Sequence, residues 1–316
     1  MWLGSSVALT LAIFALVWNW RVLRRPTGLV SGLLFGLGPW PALAASVAMP
    51  LALQGVWLPV RIAVSVFAIT TATKAWVTAH GGPRDPAMAS GLGRFTLWFV
   101  MPPESTWPRD AAAFAMARAR GLRRGARGVA KSLGFAALFG VHLQFPALHD
   151  SRFVEAFWAL WLCWLGISAI VDLVTCVPML AGVEVEEIFD APPLARSPRD
   201  FWGRRWNLFV HRFVARFLFR PLGGRRHPAL ATLGVFVCSG LMHEYFVLAA
   251  LGGTGHHTGW MMGFFVIQGA GVVVEMRGRR RRTGLPRGLA IGLHTAWMTL
   301  TSPLFFGPLG EMFEGW

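Results

Sequence analysis

Charged residues are scarce in this chain: Asp, Glu, Lys and Arg together make up 14% of its 316 residues, whereas 54% are hydrophobic. Soluble domains carry about 25% charged residues, so the composition excludes an ordinary soluble domain. Cysteine is also scarce. Cys163, Cys176 and Cys238 all lie in long apolar segments and show no metal-ligand spacing. They are expected to be small core residues, and no metal site is predicted.

The parts of the chain that lack charges are long apolar runs. Runs of about 20 residues, the length that crosses a bilayer, predict eight spans, near residues 2–20, 30–53, 56–73, 128–148, 153–180, 229–251, 259–276 and 289–309. The second contains Pro39 and Pro41 and is expected to bend. The first has no preceding basic region and no clear cleavage site, which indicates a retained helix rather than a signal peptide. The predicted fold class is all-α: a polytopic transmembrane helix bundle of about eight spans with interfacial amphipathic helices, in one integral-membrane domain over 1–316.

The distribution of the cations supports this list of spans. With eight crossings, 28 of the 30 Lys and Arg fall on one side of the membrane, and only Arg61 and Arg152 do not. The positive-inside rule makes that side cytoplasmic and both termini external; in a bacterium this would be the inner membrane. The net charge of +15 is then explained by topology and anionic lipids. Because the sequence contains no nucleic-acid-binding motif, no nucleic-acid partner is predicted.

Two segments between the spans are apolar or amphipathic. Residues 89–102 are apolar but too short to cross, which predicts an interfacial or re-entrant piece. Residues 207–220 carry two stripes with a spacing of four residues, which predicts an amphipathic helix at the membrane surface. The stripes are Arg212, Arg216 and Arg220, and Phe209, Phe213 and Phe217.

Polar residues inside the apolar runs are candidates for function, because they are costly in a membrane. His243 lies in Ser-Gly-Leu-Met-His-Glu (239–244), roughly 21 Å along its predicted span. Ser239 and Gly240 lie one turn before it and would let a partner helix or a substrate approach. A structural His bonded to another helix is the alternative. The remaining such residues are His142, Asp172, Glu275 and His294. Each could be a packing partner, a proton relay or part of a cavity, and together they suggest a polar chamber or a transport path.

Asparagine occurs only twice, at Asn19 and Asn207, and the second lies in Phe-Trp-Gly-Arg-Arg-Trp-Asn (201–207). Asn207 would open the predicted surface helix, where free backbone N–H groups gather. A simple N-cap is therefore an equal alternative to a functional role.

Three stretches resemble one family. They are Ser-Pro-Arg-Asp-Phe-Trp-Gly-Arg-Arg-Trp-Asn-Leu (197–208), Ser-Gly-Leu-Met-His-Glu (239–244) and Gly-Phe-Phe-Val-Ile-Gln-Gly-Ala-Gly-Val-Val-Val-Glu (263–275). Together they resemble the wax synthase branch of the membrane-bound O-acyltransferases, whose members are long-chain-alcohol O-fatty-acyltransferases. The order Asn207 and then, 36 residues later, His243 fits that family. The resemblance is specific over the catalytic region 197–275; the amino-terminal half shares only its hydropathy and Arg-Phe-x-x-Trp-Phe at 94–99.

The resemblance implies transfer of a fatty acyl group from acyl-CoA, a substrate rather than a cofactor, to an alcohol hydroxyl. By the same resemblance, His243 is the catalytic His and Asn207 the second active-site residue. A neutral His in an apolar setting can act as general base, and an Asn N–H can stabilise an oxyanion. Since no Gly-x-Ser-x-Gly elbow occurs, direct transfer is predicted rather than an acyl-enzyme.

The residues around Asn207 suit coenzyme A, a polyanion. Arg204 and Arg205 could bind its phosphates, and Trp202 and Trp206 could stack on its adenine; Glu244 completes this predicted substrate-binding set. Anchoring at the membrane interface is the alternative role for the two arginines and the two tryptophans.

The candidate residues differ in depth, because Asn207 opens a surface helix and His243 lies deep in a span. They can meet if 201–207 dips inward, in a chamber with a wet cytoplasmic mouth and an apolar branch for the lipid chains. Two other functions stay open. One is acyl transfer to a sterol, glyceride or secondary-metabolite hydroxyl. The other is a transporter or flippase, against which the absence of an inverted repeat counts.

Overall fold

The computed structural model describes residues 2–24, 36–53, 56–145, 151–251, 255–278 and 285–311. These residues are helical apart from turns, connections and one antiparallel ladder of β1 (Ser105–Thr106) and β2 (Glu184–Val185), with Ser105 opposite Val185. The helices are α1 (Trp2–Arg24), α2 (Trp40–Leu51), α3 (Leu58–Ala79), α4 (Leu92–Val100), α5 (Ala111–Gln144), α6 (Arg152–Leu180), α7 (Leu208–Val214), α8 (Pro228–Leu251), α9 (Trp260–Gly278), α10 (Arg287–Thr301) and α11 (Pro303–Glu311). The all-α prediction is confirmed.

Several of these helices have the length and apolarity of a membrane span. Four qualify among the described residues: Gly4–Arg24 within α1, and the whole of α3, α6 and α8. The pair α10 and α11 would make a fifth, bent by 43°, because Pro303 has no N–H with which to continue the first helix. The chain is therefore built as an integral membrane protein, while a total of about eight spans stays a prediction.

The remaining predicted spans take other forms. The span near 30–53 is broken, because α2 is only 12 residues long and begins at Trp40, with Pro41 in its first turn; residues 30–35 lie outside the described part. The span near 259–276 corresponds to α9, which has 19 residues. The span near 128–148 is the second half of α5, and 146–148 lie outside the described residues.

The cation-rich segment before that span is helical. Helix α5 runs unbroken for 34 residues from Ala111, because Ala, Leu and Arg are strong helix formers whatever their charge. Its inner face carries small residues. A Cβ on Gly121 would come 2.8 Å from the Cβ of Met179, so glycine lets α5 and α6 pack closely.

Of the alternatives for Asp172, the structure shows the packing partner, because this residue joins two helices. Its carboxylate is 3% exposed and accepts hydrogen bonds from Arg127 at 2.7 and 2.8 Å and from Lys131 at 2.7 Å. Both cations lie on α5, and Asp172 lies on α6. Removing one partner of a buried ion pair costs about 3–5 kcal/mol, so this cluster stabilises the α5–α6 pair.

The chain divides into two compact units. Unit 1 comprises Met1–Phe114, Gly182–Glu186 and Phe246–Thr254, and unit 2 comprises Ala115–Ala181, Glu187–Tyr245 and Gly255–Trp316. In unit 1 the apolar segment 89–102 forms α4, whose Phe95, Trp98 and Phe99 are buried in a core with Ala15 and Ala75. All the candidate catalytic and binding residues lie in unit 2. A single integral-membrane domain over 1–316 stays a prediction.

Candidate active site

The stretch that leads to Asn207 is held by a carboxylate of α9. Ser197 caps the short helical turn Pro198–Asp200, since its Oγ accepts the N–H of Asp200 at 3.2 Å. The same hydroxyl donates to Oε1 of Glu275 at 2.9 Å, and Oε2 of Glu275 accepts the N–H of Arg199 at 3.1 Å. Glu275, which the sequence assigned to a polar chamber, therefore anchors the start of the motif to α9.

The motif continues as a wider, π-helical turn over Phe201–Arg205. Such turns are rare in proteins, and those that occur are often found at functional sites. The turn closes with the N–H of Trp206 donating to the carbonyl of Phe201 at 2.9 Å, and the two rings stack at 5.4 Å. Phe201 is 8% exposed, and Trp202 packs edge-on against Phe236 of α8. The aromatic side chains of the motif thus pack into the core of unit 2, while the inward dip of 201–207 toward the depth of His243 stays a prediction.

Asn207 follows this turn in a left-handed backbone conformation, with φ 45° and ψ 59°. Asparagine tolerates this region better than other non-glycine residues. Its side-chain Oδ1 accepts the N–H of Val210 at 3.3 Å, and its carbonyl accepts the N–H of His211 at 2.9 Å. The N-cap that the sequence offered as an alternative is present. Because the cap occupies Oδ1, the amide NH₂ is the part of the side chain that can donate to a ligand.

His243 has a fixed tautomer in the structure. Its Nδ1 lies 2.7 Å from the carbonyl oxygen of Ser239, one turn earlier in α8. A carbonyl oxygen can only accept, so Nδ1 carries the proton and the lone pair of the ring lies on Nε2. The ring packs at 4.3 Å from Phe265 and 6.0 Å from Phe305.

Gly240 serves the helix contact rather than the substrate. A Cβ there would lie 2.8 Å from Sδ of Met262 and 3.1 Å from its Cα. The backbone of α9 therefore runs directly beside α8 at this position, which places Phe265 against the ring of His243. Of the two partners that the sequence suggested for the small residues, the structure shows a helix.

An aromatic cluster packs against His243 and against the turn that precedes Asn207. We define it as Phe201, Trp202, Phe236, Phe264, Phe265 and Phe305, all packed in one core of unit 2. Trp202 contacts Phe201 at 5.0 Å and Phe265 at 5.7 Å, and Phe265 contacts His243. Trp206, the neighbour of Asn207, stacks on Phe201. The cluster therefore contacts His243 directly and reaches Asn207 only through its sequence neighbour Trp206, and the described residues show no hydrogen bond between Asn207 and His243.

Gln268 is a site residue that the sequence analysis missed. Its side chain is fully buried on α9. Its Oε1 accepts the indole N–H of Trp202 at 3.2 Å and that of Trp297 at 3.1 Å, and its Nε2 donates to Thr301 at 2.8 Å. The signal was available, because it is the one amide side chain in the apolar stretch 263–275. Its network fixes the position of Trp202 in the aromatic cluster.

We expect Gln268→Leu to destabilise the protein and to lower its activity. The change leaves two buried indole N–H groups without an acceptor, and each costs about 1–3 kcal/mol. The melting temperature in detergent should therefore fall clearly. Gln144→Leu, at an exposed position at the end of α5, is the matched control and should melt like the wild type. Wild-type melting of Gln268→Leu would show that the network carries no stability.

The predicted substrate-binding residues fall into three groups. Arg205 is engaged inside the protein: its Nε donates to Asp200 at 2.9 Å and its Nη1 to the carbonyls of Asp190 and Ala191 at 3.2 and 3.3 Å. Trp202 and Trp206 pack within the core of unit 2. Arg204, in contrast, is exposed.

Two carboxylates near the motif are also engaged. Burial alone would raise the pKa of Asp200, but the hydrogen bonds from Arg205 and from the backbone of Arg196 hold that pKa below its ordinary value. Glu244 accepts the N–H of Met262 at 3.0 Å, in the first turn of α9, where a carboxylate also meets the positive end of the helix dipole. The structure gives Glu244 a helix-capping contact.

Comparison with known proteins finds a family whose sequence model matches the site region. Residues 185–267 match the sequence model of the Membrane bound O-acyl transferase family. The chain is 33% identical over 145 residues to acyl-CoA–sterol O-acyltransferase 1 of Arabidopsis thaliana, covering 42% of this chain and 41% of that protein. It is 35% identical over 173 residues to the probable long-chain-alcohol O-fatty-acyltransferase 2 of the same plant, covering 50% and 49%.

A third relative is the long-chain-alcohol O-fatty-acyltransferase of Simmondsia chinensis, 34% identical over 156 residues, covering 46% of this chain and 42% of that protein. The resemblance to the wax synthase branch is confirmed by these matches. The aligned regions span less than half the length of these curated relatives.

Proposed function

We propose that this protein is a membrane-embedded acyltransferase that moves a fatty acyl group from acyl-CoA to the hydroxyl of a long-chain alcohol, forming a wax-type ester. The observation that carries the proposal is the state of His243. Its proton is committed to the Ser239 carbonyl on Nδ1, so Nε2 has the lone pair that a general base needs. Its aromatic surroundings suit the lipid chains of both substrates.

The reaction requires the site to remove the hydroxyl proton of the alcohol and to stabilise the negative charge on the thioester carbonyl oxygen. Nε2 of His243 removes the hydroxyl proton as the alcohol oxygen bonds to the thioester carbon; the C–S bond then breaks, and the departing thiolate takes the proton back. The negative charge that develops on the carbonyl oxygen needs a donor. We assign this task to the side-chain NH₂ of Asn207, which remains available because the cap from Val210 uses only Oδ1. Removing one such donor costs an enzyme about 3 kcal/mol of transition-state stabilisation.

The name of one relative supports a second candidate for the acceptor. That relative is named as a sterol acyltransferase, whereas two others are named for long-chain alcohols. Purified protein in lipid, given labelled acyl-CoA and a panel of long-chain alcohol, sterol and diglyceride, distinguishes them by product mass. We expect the long-chain alcohol ester. If a sterol ester forms, the acceptor is a sterol rather than a long-chain alcohol. If no ester forms, the proposed acyltransferase activity is rejected.

The two arginines of the motif should respond differently to loss of charge. Arg204 is exposed and free to meet the phosphates of coenzyme A on the cation-rich side, which we place in the cytoplasm. Arg204→Gln should raise the KM for acyl-CoA severalfold, leave the KM for alcohol unchanged and leave the melting temperature unchanged. Arg205→Gln should lower the melting temperature, because it removes the contacts to Asp200 and to two carbonyls.

Steady-state kinetics with each substrate varied in turn, together with melting curves, test this division. If Arg205→Gln raises the KM for acyl-CoA at normal stability while Arg204→Gln does nothing, the assignment is reversed. Raised salt should weaken acyl-CoA binding to the wild type more than to Arg204→Gln, because exposed charge pairs are screened.

A further inference from the structure

His294 is a buried side chain to which neither the fold nor the proposed reaction has given a task. It lies on α10, 5% exposed, and neither Nδ1 nor Nε2 has a hydrogen-bond partner among the described residues. Buried polar atoms are nearly always paired, and an unpaired one is costly. The two unpaired nitrogens of this one ring indicate that His294 binds a ligand that enters the protein.

The position of His294 relative to His243 and to the cation-rich helix ends indicates which ligand could reach it. Its ring lies 5.5 Å from that of Phe201, the first residue of the π-helical turn. His243 contacts the same aromatic cluster at its other end, through Phe265. His294 is seven residues into α10, about 10 Å from the end that begins at Arg287, whereas His243 is about 22 Å from the beginning of α8. Both of these helix ends adjoin cation-rich sequence, at Arg225 and Arg226 for α8 and at Arg287 for α10.

We propose that His294 binds the pantetheine arm of acyl-CoA by hydrogen bonding to one of its amide groups; this rests on the proposed function. The arm links the phosphates to the thioester, and its amides are the polar groups of an otherwise largely apolar chain. If the phosphates lie at the cation-rich surface and the thioester at His243, the arm passes the intermediate depth of His294. A neutral imidazole offers one donor and one acceptor, which match the N–H and the carbonyl of an amide.

The test measures binding of two probes to purified protein in lipid nanodiscs. The probes are coenzyme A and 3′-phospho-ADP, which is coenzyme A without its pantetheine arm. Loss of one buried hydrogen bond corresponds to about a tenfold weaker affinity. His294→Leu should therefore bind coenzyme A about tenfold more weakly and bind 3′-phospho-ADP like the wild type. Arg204→Gln should weaken both probes.

Stability distinguishes a binding residue from a structural one. His294→Leu removes two unpaired nitrogens, so without ligand it should melt at the same temperature as the wild type or higher. A large loss of stability would overturn the proposal by giving His294 a structural task. His294→Gln keeps a donor and an acceptor and should recover part of the affinity for coenzyme A.

The matched control is Thr299→Val on the same helix, since the Oγ1 of Thr299 is also buried without a partner among the described residues. It should bind both probes like the wild type; a tenfold loss of coenzyme A there would show that any change on α10 has this effect. Equal coenzyme A affinity in His294→Leu and wild type would overturn the role of His294 alone. Failure of the wild type to bind coenzyme A at all would reject the proposed function instead.

Discussion

His243→Ala should reduce ester formation by about 10²–10⁴-fold, the contribution that a general base makes, while the protein still folds and inserts. The loss should appear in kcat, because the alcohol can still bind but no group removes its proton. Truncation also removes a ring that packs against Phe265, so the protein level and the melting temperature must be measured beside the rate.

His256→Ala is the control for this experiment, since His256 is exposed in the turn before α9 and should retain full activity. Near-normal turnover of His243→Ala, at a normal protein level, would contradict the general-base assignment. It would favour the alternative of a structural histidine held by Ser239.

Asn207→Asp should lower kcat by about 10²–10³-fold, the effect of removing one oxyanion donor, and should keep the fold. Aspartate preserves the oxygen that caps Val210 and is as good an N-cap as asparagine. It lacks the amide N–H and adds a negative charge where the oxyanion would form. The two roles of Asn207, capping and donating, are thereby separated in one variant.

Asn207→Ala is the companion variant, and it should lose both roles. Loss of the cap costs about 1 kcal/mol, and alanine is less suited to the positive φ of 45°. We expect slow residual activity together with a lower melting temperature. If Asn207→Asp turns over like the wild type while Asn207→Ala unfolds, capping is the whole task of the residue, and another group stabilises the oxyanion.

Much of the candidate site was predictable because its signals are local. A His in a long apolar run and an Asn before an amphipathic stretch are visible without a structure. The structure places both beside one aromatic cluster. The N-cap at Asn207 also follows from sequence, since it uses the backbone N–H only three residues later. Helix α7 begins at Leu208, as predicted, but it gives way at Ala215 to a π-helical turn.

The partners of the polar groups were not predictable, because they come from distant parts of the chain. Gln268 meets Trp202 across 66 residues, and Glu275 meets Ser197 across 78. Nothing in either segment alone specifies that pairing. Arg205 illustrates the consequence. By type and neighbourhood it resembled Arg204, and only the fold shows that its guanidinium holds Asp200 and two carbonyls.

Helix α5 shows a second limit of the sequence. The dense positive charge in 118–131 does not reveal the form of the backbone there, which is helical in the structure because Ala, Leu and Arg have high helix propensity. Arg127 and Lys131 project from that helix to Asp172, and Glu187 also accepts from Arg127, so two carboxylates offset the two cations. The positive-inside rule counts charges and is silent about the backbone that carries them.

The most direct test of the account is one turnover with an alcohol whose hydroxyl carries heavy oxygen. Purified protein in lipid is mixed with labelled acyl-CoA and that alcohol, and products are identified by mass. The account predicts an ester that retains the heavy oxygen, with one free coenzyme A released for each ester formed, and ester formation at least about 10²-fold slower in His243→Ala. Release of free fatty acid without ester, or an ester that forms equally in His243→Ala, would contradict it.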